Sequence, residues 1–164
     1  MVVLGVDPGT AITGYGVIRK EGSKLVALDY GVIRTPPHDE PPTRLLVVYK
    51  ELVRLMEQHH PECLATERLF FAQNEATAFS VGRTIGVVLL AAAERGVSWA
   101  EYTPPQVKRA VVGFGRAGKA QVQYMVRHLL QLPSSPQPND AADALAVAIC
   151  HAHSTYTHAG KQEW

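Results

Sequence analysis

Four carboxylates stand out for the chemistry they could share. Asp7 closes the β-branched run VVLGVD, and Glu67 closes the short run CLATE. An acid at the C-terminal end of a buried strand faces the crevice where open α/β sheets hold their ligands. Asp140 and Asp143 lie three apart in NDAADALAVAI, so on a helix they share one face. Singly, each has an ordinary reading: a solvated strand end, or an acid stabilising the first turn of a helix. The residues around Asp140 and Asp143 are small or apolar, however, which makes that helix largely buried and turns its acids toward a shared cleft. Buried carboxylates without partners are costly. A divalent cation supplies the opposing charge, and oxygen-only ligands suit Mg²⁺ or Mn²⁺ rather than zinc. One or two such ions would support metal-assisted hydrolysis of a phosphodiester.

The rest of the chain supplies the complementary sign. The formal net charge is +1, and without these four acids the remainder stands at +5. From Tyr102 to Asn139 there is no acid, while Lys108, Arg109, Arg116, Lys119 and Arg127 fall within that stretch. A one-sign segment of this length points to a polyanionic partner, against the plainer reading of a solvated basic surface. Inside it lies GFGRAGKA, which matches both a dinucleotide fingerprint and most of a Walker A loop. The Walker reading fails because Ala120 stands where a Mg²⁺-ligating Ser or Thr is needed. The dinucleotide reading fails because no strand ending in an acid follows. What remains is a phosphate-binding loop carrying Arg116 and Lys119 at the start of a helix.

These residues need elements to position them. The chain has 164 residues, 46% hydrophobic, enough for one globular domain with a real core. No apolar run approaches the ~18 residues of a membrane span, and the N-terminal VVLGV is too short for a signal-peptide core. Cys63 and Cys150 form no CxxC and read as reduced, buried thiols of a cytoplasmic protein. His151, His153 and His158 read as a solvated C-terminal tail rather than a metal site. Strand-like runs end at Asp7 and cover GYGVIRK, KLVALDYGVIRT, CLATE and SWAEY. Helical spacing marks TRLLVVYKELVRLMEQHH, with Thr43 as its cap, and EATAFSVGRTIGVVLLAAAERG. A short helix after Pro104 and Pro105, one from Lys119 and a last one capped by Asn139 follow. Three strands, helix, strand, helix, strand, helices is a mixed α/β sheet covered by helices. Residues 1–153 form the domain, and 154–164 are expected to be a flexible tail.

Four motifs in order carry a resemblance: strand-D-P-G-T with GYGVI, A-T-E-x-x-F-F-A-x-N, Q-V-K…G-x-G…K-A-Q-V-Q-x-M-V, and D-A-A-D-A-L-A-x-A-I-x-H. Together they resemble the RuvC family of bacterial Holliday-junction resolvases over nearly the whole chain. The resemblance implies a ribonuclease-H-like α/β fold and a homodimer that resolves four-way DNA junctions by paired symmetric nicks, leaving 5′-phosphate and 3′-hydroxyl ends. It implies Mg²⁺ as cofactor, with Mn²⁺ as a substitute, held by Asp7, Glu67, Asp140 and Asp143. Lys108 and Lys119 match lysines important for activity, and the RuvA and RuvB branch-migration proteins are the implied partners. In RLFFAQN, Phe70 matches an aromatic that stacks near a junction base, and Asn74 is placed to contact a phosphate or base. Two other readings stay open. DPGT also opens the phosphate loop of actin-like ATPases, which need a second domain, and a junction-binding protein without chemistry would share the surface.

Overall fold

The computed structural model describes residues 1–9, 11–68 and 75–154, with side chains of the helix beginning at Glu75 described from residue 78. Five strands form one sheet: β1 (Val2–Asp7), β2 (Ile12–Glu21), β3 (Lys24–Arg34), β4 (Cys63–Glu67) and β5 (Ser98–Tyr102). Their order is β3-β2-β1-β4-β5. β1, β2 and β3 pair antiparallel as successive hairpins, whereas β1, β4 and β5 run parallel. Parallel neighbours need crossovers, and helices α1 (Pro41–His59) and α2 (Glu75–Glu94) supply them. Helices α3 (Pro104–Val112), α4 (Lys119–Leu129) and α5 (Asn139–His153) follow among the described residues.

Side chains alternate across a strand, so each sheet face reads from every second residue. Leu4 and Val6 of β1, Val17 of β2 and Leu64 of β4 pack with Val48, Leu52, Leu55 and Met56 of α1 and Val88 of α2. On the opposite face, Val3, Ile18, Ala65 and Tyr102 pack with α3, α4 and α5. The apolar spacing that marks α1 in sequence is this buried stripe. Among the described residues, no helix is long and apolar enough to cross a membrane.

Two helix starts differ from the sequence reading. Thr43 lies inside α1, which begins at Pro41 after Glu40, a residue that makes no side-chain capping bond. Proline has no N–H to leave unsatisfied and a φ already suited to the first turn, so Pro41 and Pro42 start the helix without a polar cap. Asn139 is likewise the first residue of α5, preceded by Pro138 in extended backbone. The prolines that open α3 behave as read, with Thr103 ahead of them and its backbone N–H donating to Gln106 Oε1 at 2.8 Å.

Candidate active site

Alternation along β1 and β4 places the first two acids. Val3, Gly5 and Asp7 face the α5 side of the sheet, and so do Cys63, Ala65 and Glu67. The parallel register Gly5↔Ala65 and Val6↔Thr66 then brings Asp7 and Glu67 to the same end of the sheet, one position beyond the last paired rung. Neighbouring strands lie about 4.8 Å apart, so these carboxylates are lateral neighbours.

The other two acids arrive on α5, and glycines set how close it comes. A Cβ on Gly5 would stand 2.1 Å from the carbonyl oxygen of Ala144. A Cβ on Gly14 would stand 2.1 Å from the carbonyl oxygen of Asp140, and one on Gly16 would stand 2.7 Å from the Leu145 side chain. No side chain fits at these positions, so α5 lies with its backbone against β1 and β2. Gly14 is also the residue paired with Asp7 across the hairpin. The sequence Asp7, Gly14, Asp140 is thus a spatial chain: acid, bare backbone, helix start with its own acid. Asp143, one turn on, shares that face. Alanine fills most of the remaining helix surface, and Ala141, Ala142, Ala144, Ala146 and Ala148 are all buried.

The electrostatics follow from this convergence. Burial, then the negative charges of Asp143, Glu67 and Asp140, push the Asp7 carboxyl up from 3.8 to about 7. Burial and Asp143 likewise raise Glu67, while Lys108 and Lys119 pull it down. Lys119 Nζ donates to Asp143 Oδ2 at 2.7 Å, and that bond raises the lysine. The start of α4 therefore delivers its first residue, Lys119, directly to an acid of the site. Lys108 on α3 is close enough for its charge to act on Glu67, and Arg116 is exposed on the connecting loop. Among the described residues, no group of three or more acids, histidines and cysteines forms a ready-made cation cage. The cluster is an electrostatic one: oxygen donors only, with more negative charge than its surroundings solvate. That is a donor set a hard divalent cation fits.

The glycine loop joins two helices, as its sequence context suggested, so neither the Walker nor the dinucleotide geometry is present. Gly113, at φ 97°, ends α3 with its N–H donating to the Arg109 carbonyl at 2.9 Å. Only glycine takes that backbone shape without strain. Gly118 precedes α4 and its N–H donates to Gln121 Oε1 at 2.8 Å. Phe70 and Asn74 lie outside the described residues.

One sequence reading is corrected. His151 is buried, with only 4% of its surface exposed, rather than part of a solvated tail. Its Nδ1 stands 2.8 Å from the Tyr102 hydroxyl and 3.8 Å from the Cys63 sulfur, and burial lowers its pKa below the usual histidine range. His153 is exposed, with Nδ1 3.2 Å from the Ala110 carbonyl oxygen. The last helix reads in sequence as running past His151, but its face toward β4 and β5 does not, and that face buries the ring. Cys63 and Cys150 are buried free thiols, as read, and burial pushes Cys150 up to about 12. The glycines under α5 are the residues the sequence reading did not single out. Gly5, Gly14 and Gly16 inside strand patterns were the available signal, since an interior strand glycine marks a close backbone approach.

Comparison with known proteins places this geometry. Residues 3–151 match the family model described as crossover junction endodeoxyribonuclease RuvC. A protein of that name from Pelotomaculum thermopropionicum is 56% identical over 153 residues, covering 93% of both chains. One from Desulfitobacterium hafniense is 56% identical over 154 residues, covering 94% of this chain and 93% of the other. Among solved structures, Thermus thermophilus RuvC in complex with Holliday junction substrate superimposes with a TM-score of 0.89 at 39% identity, covering 93% of each chain.

Proposed function

The chain belongs to the RuvC family of crossover junction endodeoxyribonucleases, and from that membership we propose that it cuts four-way DNA junctions by paired, symmetric phosphodiester hydrolysis, leaving 5′-phosphate and 3′-hydroxyl ends. The observation that carries the reading is the meeting of Asp7, Glu67, Asp140 and Asp143 at one sheet end, held there by bare glycine backbone. A non-catalytic junction binder has no need to hold a carboxyl in surroundings that raise it to about 7.

Those four acids are the residues that would hold Mg²⁺, or Mn²⁺ in its place. The ion would supply positive charge against the carboxylates, orient a water for attack and offset charge on the phosphodiester oxygens. The chain's own cations do the rest. Lys119, already within 2.7 Å of Asp143, sits where it can donate to a phosphate oxygen gaining charge in the transition state. Lys108 supports the same strand from the Glu67 side, and Arg116 holds backbone phosphate at the rim. Phe70 and Asn74 are proposed to contact the bases or backbone beside the cut.

A two-fold substrate asks for two sites, and a homodimer provides them. The helix α2 offers a surface for it. Phe79 is 72% and Leu90 62% exposed, and between them Gly82 and Gly86 have open space where a Cβ would be. A stripe of that kind lets a second helix backbone approach closely. RuvA and RuvB are the proposed branch-migration partners.

The test is cleavage of a synthetic four-way junction and a matched linear duplex, each with Mg²⁺ or EDTA. Paired nicks in the junction alone, absent with EDTA and with Asp7→Asn, are expected. Tight junction binding without cutting, across several metals and core sequences, would make the protein a binding module instead.

A further inference from the structure

A single exposed phenylalanine on a protein surface is unremarkable. Phe114 is different because the backbone on both sides of it is fixed. Before it, Gly113 closes α3 through its bond to the Arg109 carbonyl. After it, Gly115 docks on the start of α3, where an added Cβ would be 3.2 Å from the Pro105 carbonyl oxygen. Ala117 is then buried, with 1% exposure, and Gly118 is bonded to Gln121. A loop pinned at these points nonetheless leaves Phe114 48% exposed. The chain could have turned an apolar residue inward here, as it does at Ala117, and it presents this one outward.

The surroundings say what the ring meets. It lies in the acid-free stretch 102–139, with Arg109, Arg116 and Lys119, all exposed, within five residues of it in sequence. Such a rim is not a surface for an apolar protein partner. It is the combination that grips nucleic acid strands without pairing partners: cations for the backbone and an aromatic face for a base. Its position is also bounded. Phe114 precedes Lys119 by five residues, so the two Cα atoms are at most about 18 Å apart. That is no more than about five base steps along a strand. Lys119 itself pairs with Asp143 of the acid cluster.

We propose that Phe114 is a stacking platform for a base splayed from the branch point, within a few nucleotides of the cut, and that it helps select branched over linear DNA. This rests on the junction-cutting reading above. A fully paired linear duplex keeps its bases stacked and offers the ring nothing, whereas the crossover of a junction exposes base faces.

The experiment measures binding of a synthetic four-way junction and a matched duplex, with EDTA present so that no cutting intervenes, for wild type and for Phe114→Ala, Phe114→Leu and Phe114→Trp. Junctions carrying 2-aminopurine at successive positions around the crossover report stacking by fluorescence. Each variant is first matched to wild type in melting temperature and oligomeric state. Phe114→Ala and Phe114→Leu are expected to weaken junction binding about tenfold with little change on duplex, and Trp to restore it. The 2-aminopurine signal should change at one or two adjacent positions only, and the salt dependence of junction binding should keep its slope, since no charge is lost. Full rescue by leucine, an equal loss on duplex, or no loss with alanine overturns the stacking role. A wild type that binds the junction no better than duplex overturns the underlying reading too, so the two failures are distinct.

Discussion

On one face of the sheet, Leu52, Leu55 and Met56 of α1 and Val88 of α2 fill the space above Leu4, Val6, Val17 and Leu64. On the other, α5 comes down on Gly5, Gly14 and Gly16 with alanines filling much of the contact. Both faces bury apolar surface, but they do different work. Long side chains tolerate exchange, because neighbours can shift to absorb a changed volume. Backbone against backbone has no such freedom, and it fixes Asp140 and Asp143 over Asp7. The charged end of the molecule is set by the rigid face, and the other face contributes stability.

Substitutions can break this contrast. The largest effect should come from Gly14→Val, which forces a side chain into a position 2.1 Å from the Asp140 carbonyl oxygen. It should lift the start of α5 and lower junction cleavage by at least about 10²-fold, read as single-turnover rate alongside a helix-content check by circular dichroism. Leu52→Ala on the opposite face should cost about 2–5 kcal/mol of stability, read by urea unfolding. Cleavage per folded molecule should stay near wild type. Equal catalytic loss in both would mean the two faces are not distinct. The smallest effect belongs to Tyr102→Phe, which removes the hydroxyl 2.8 Å from buried His151. About 1–3 kcal/mol of stability should go with it, and the pH dependence of unfolding should change near the histidine range as the imidazole loses that contact.

These contrasts bear on what was legible beforehand. Helix and strand placement followed from periodicity because α1 and the strands each bury one face, and β4 and β5 match the runs CLATE and SWAEY residue for residue. The acids were legible because two end strands and two share a helix turn, features local to the chain. The close seat of α5 was not. Gly5, Gly14 and Gly16 announce that some backbone comes near, but the partner is more than a hundred residues away in sequence. His151 was missed for a related reason: its burial depends on Tyr102 and Cys63 from two other strands. The helix starts were displaced toward polar residues because proline can begin a helix without any cap. The fold that results is the ribonuclease-H-like one the motifs implied, shared with the Thermus thermophilus structure.

The central claim is that the glycine-seated helix concentrates carboxylate charge for a divalent cation. Asp7 carries most of the consequence, with its carboxyl raised from 3.8 to about 7. A raised acid favours folding while it is protonated. Its contribution is therefore complete below about pH 4 and fades as pH rises through 7, a loss on the order of 2–4 kcal/mol in the metal-free protein. The measurement is thermal unfolding of wild type and Asp7→Asn at pH 5 and pH 8, with EDTA or with Mg²⁺. In EDTA, wild type should lose stability from pH 5 to pH 8 while Asp7→Asn loses much less and melts higher at pH 8. Mg²⁺ should return that loss to wild type and give the variant little. A variant that melts below wild type at pH 8 in EDTA and gains equally from Mg²⁺ would contradict the account.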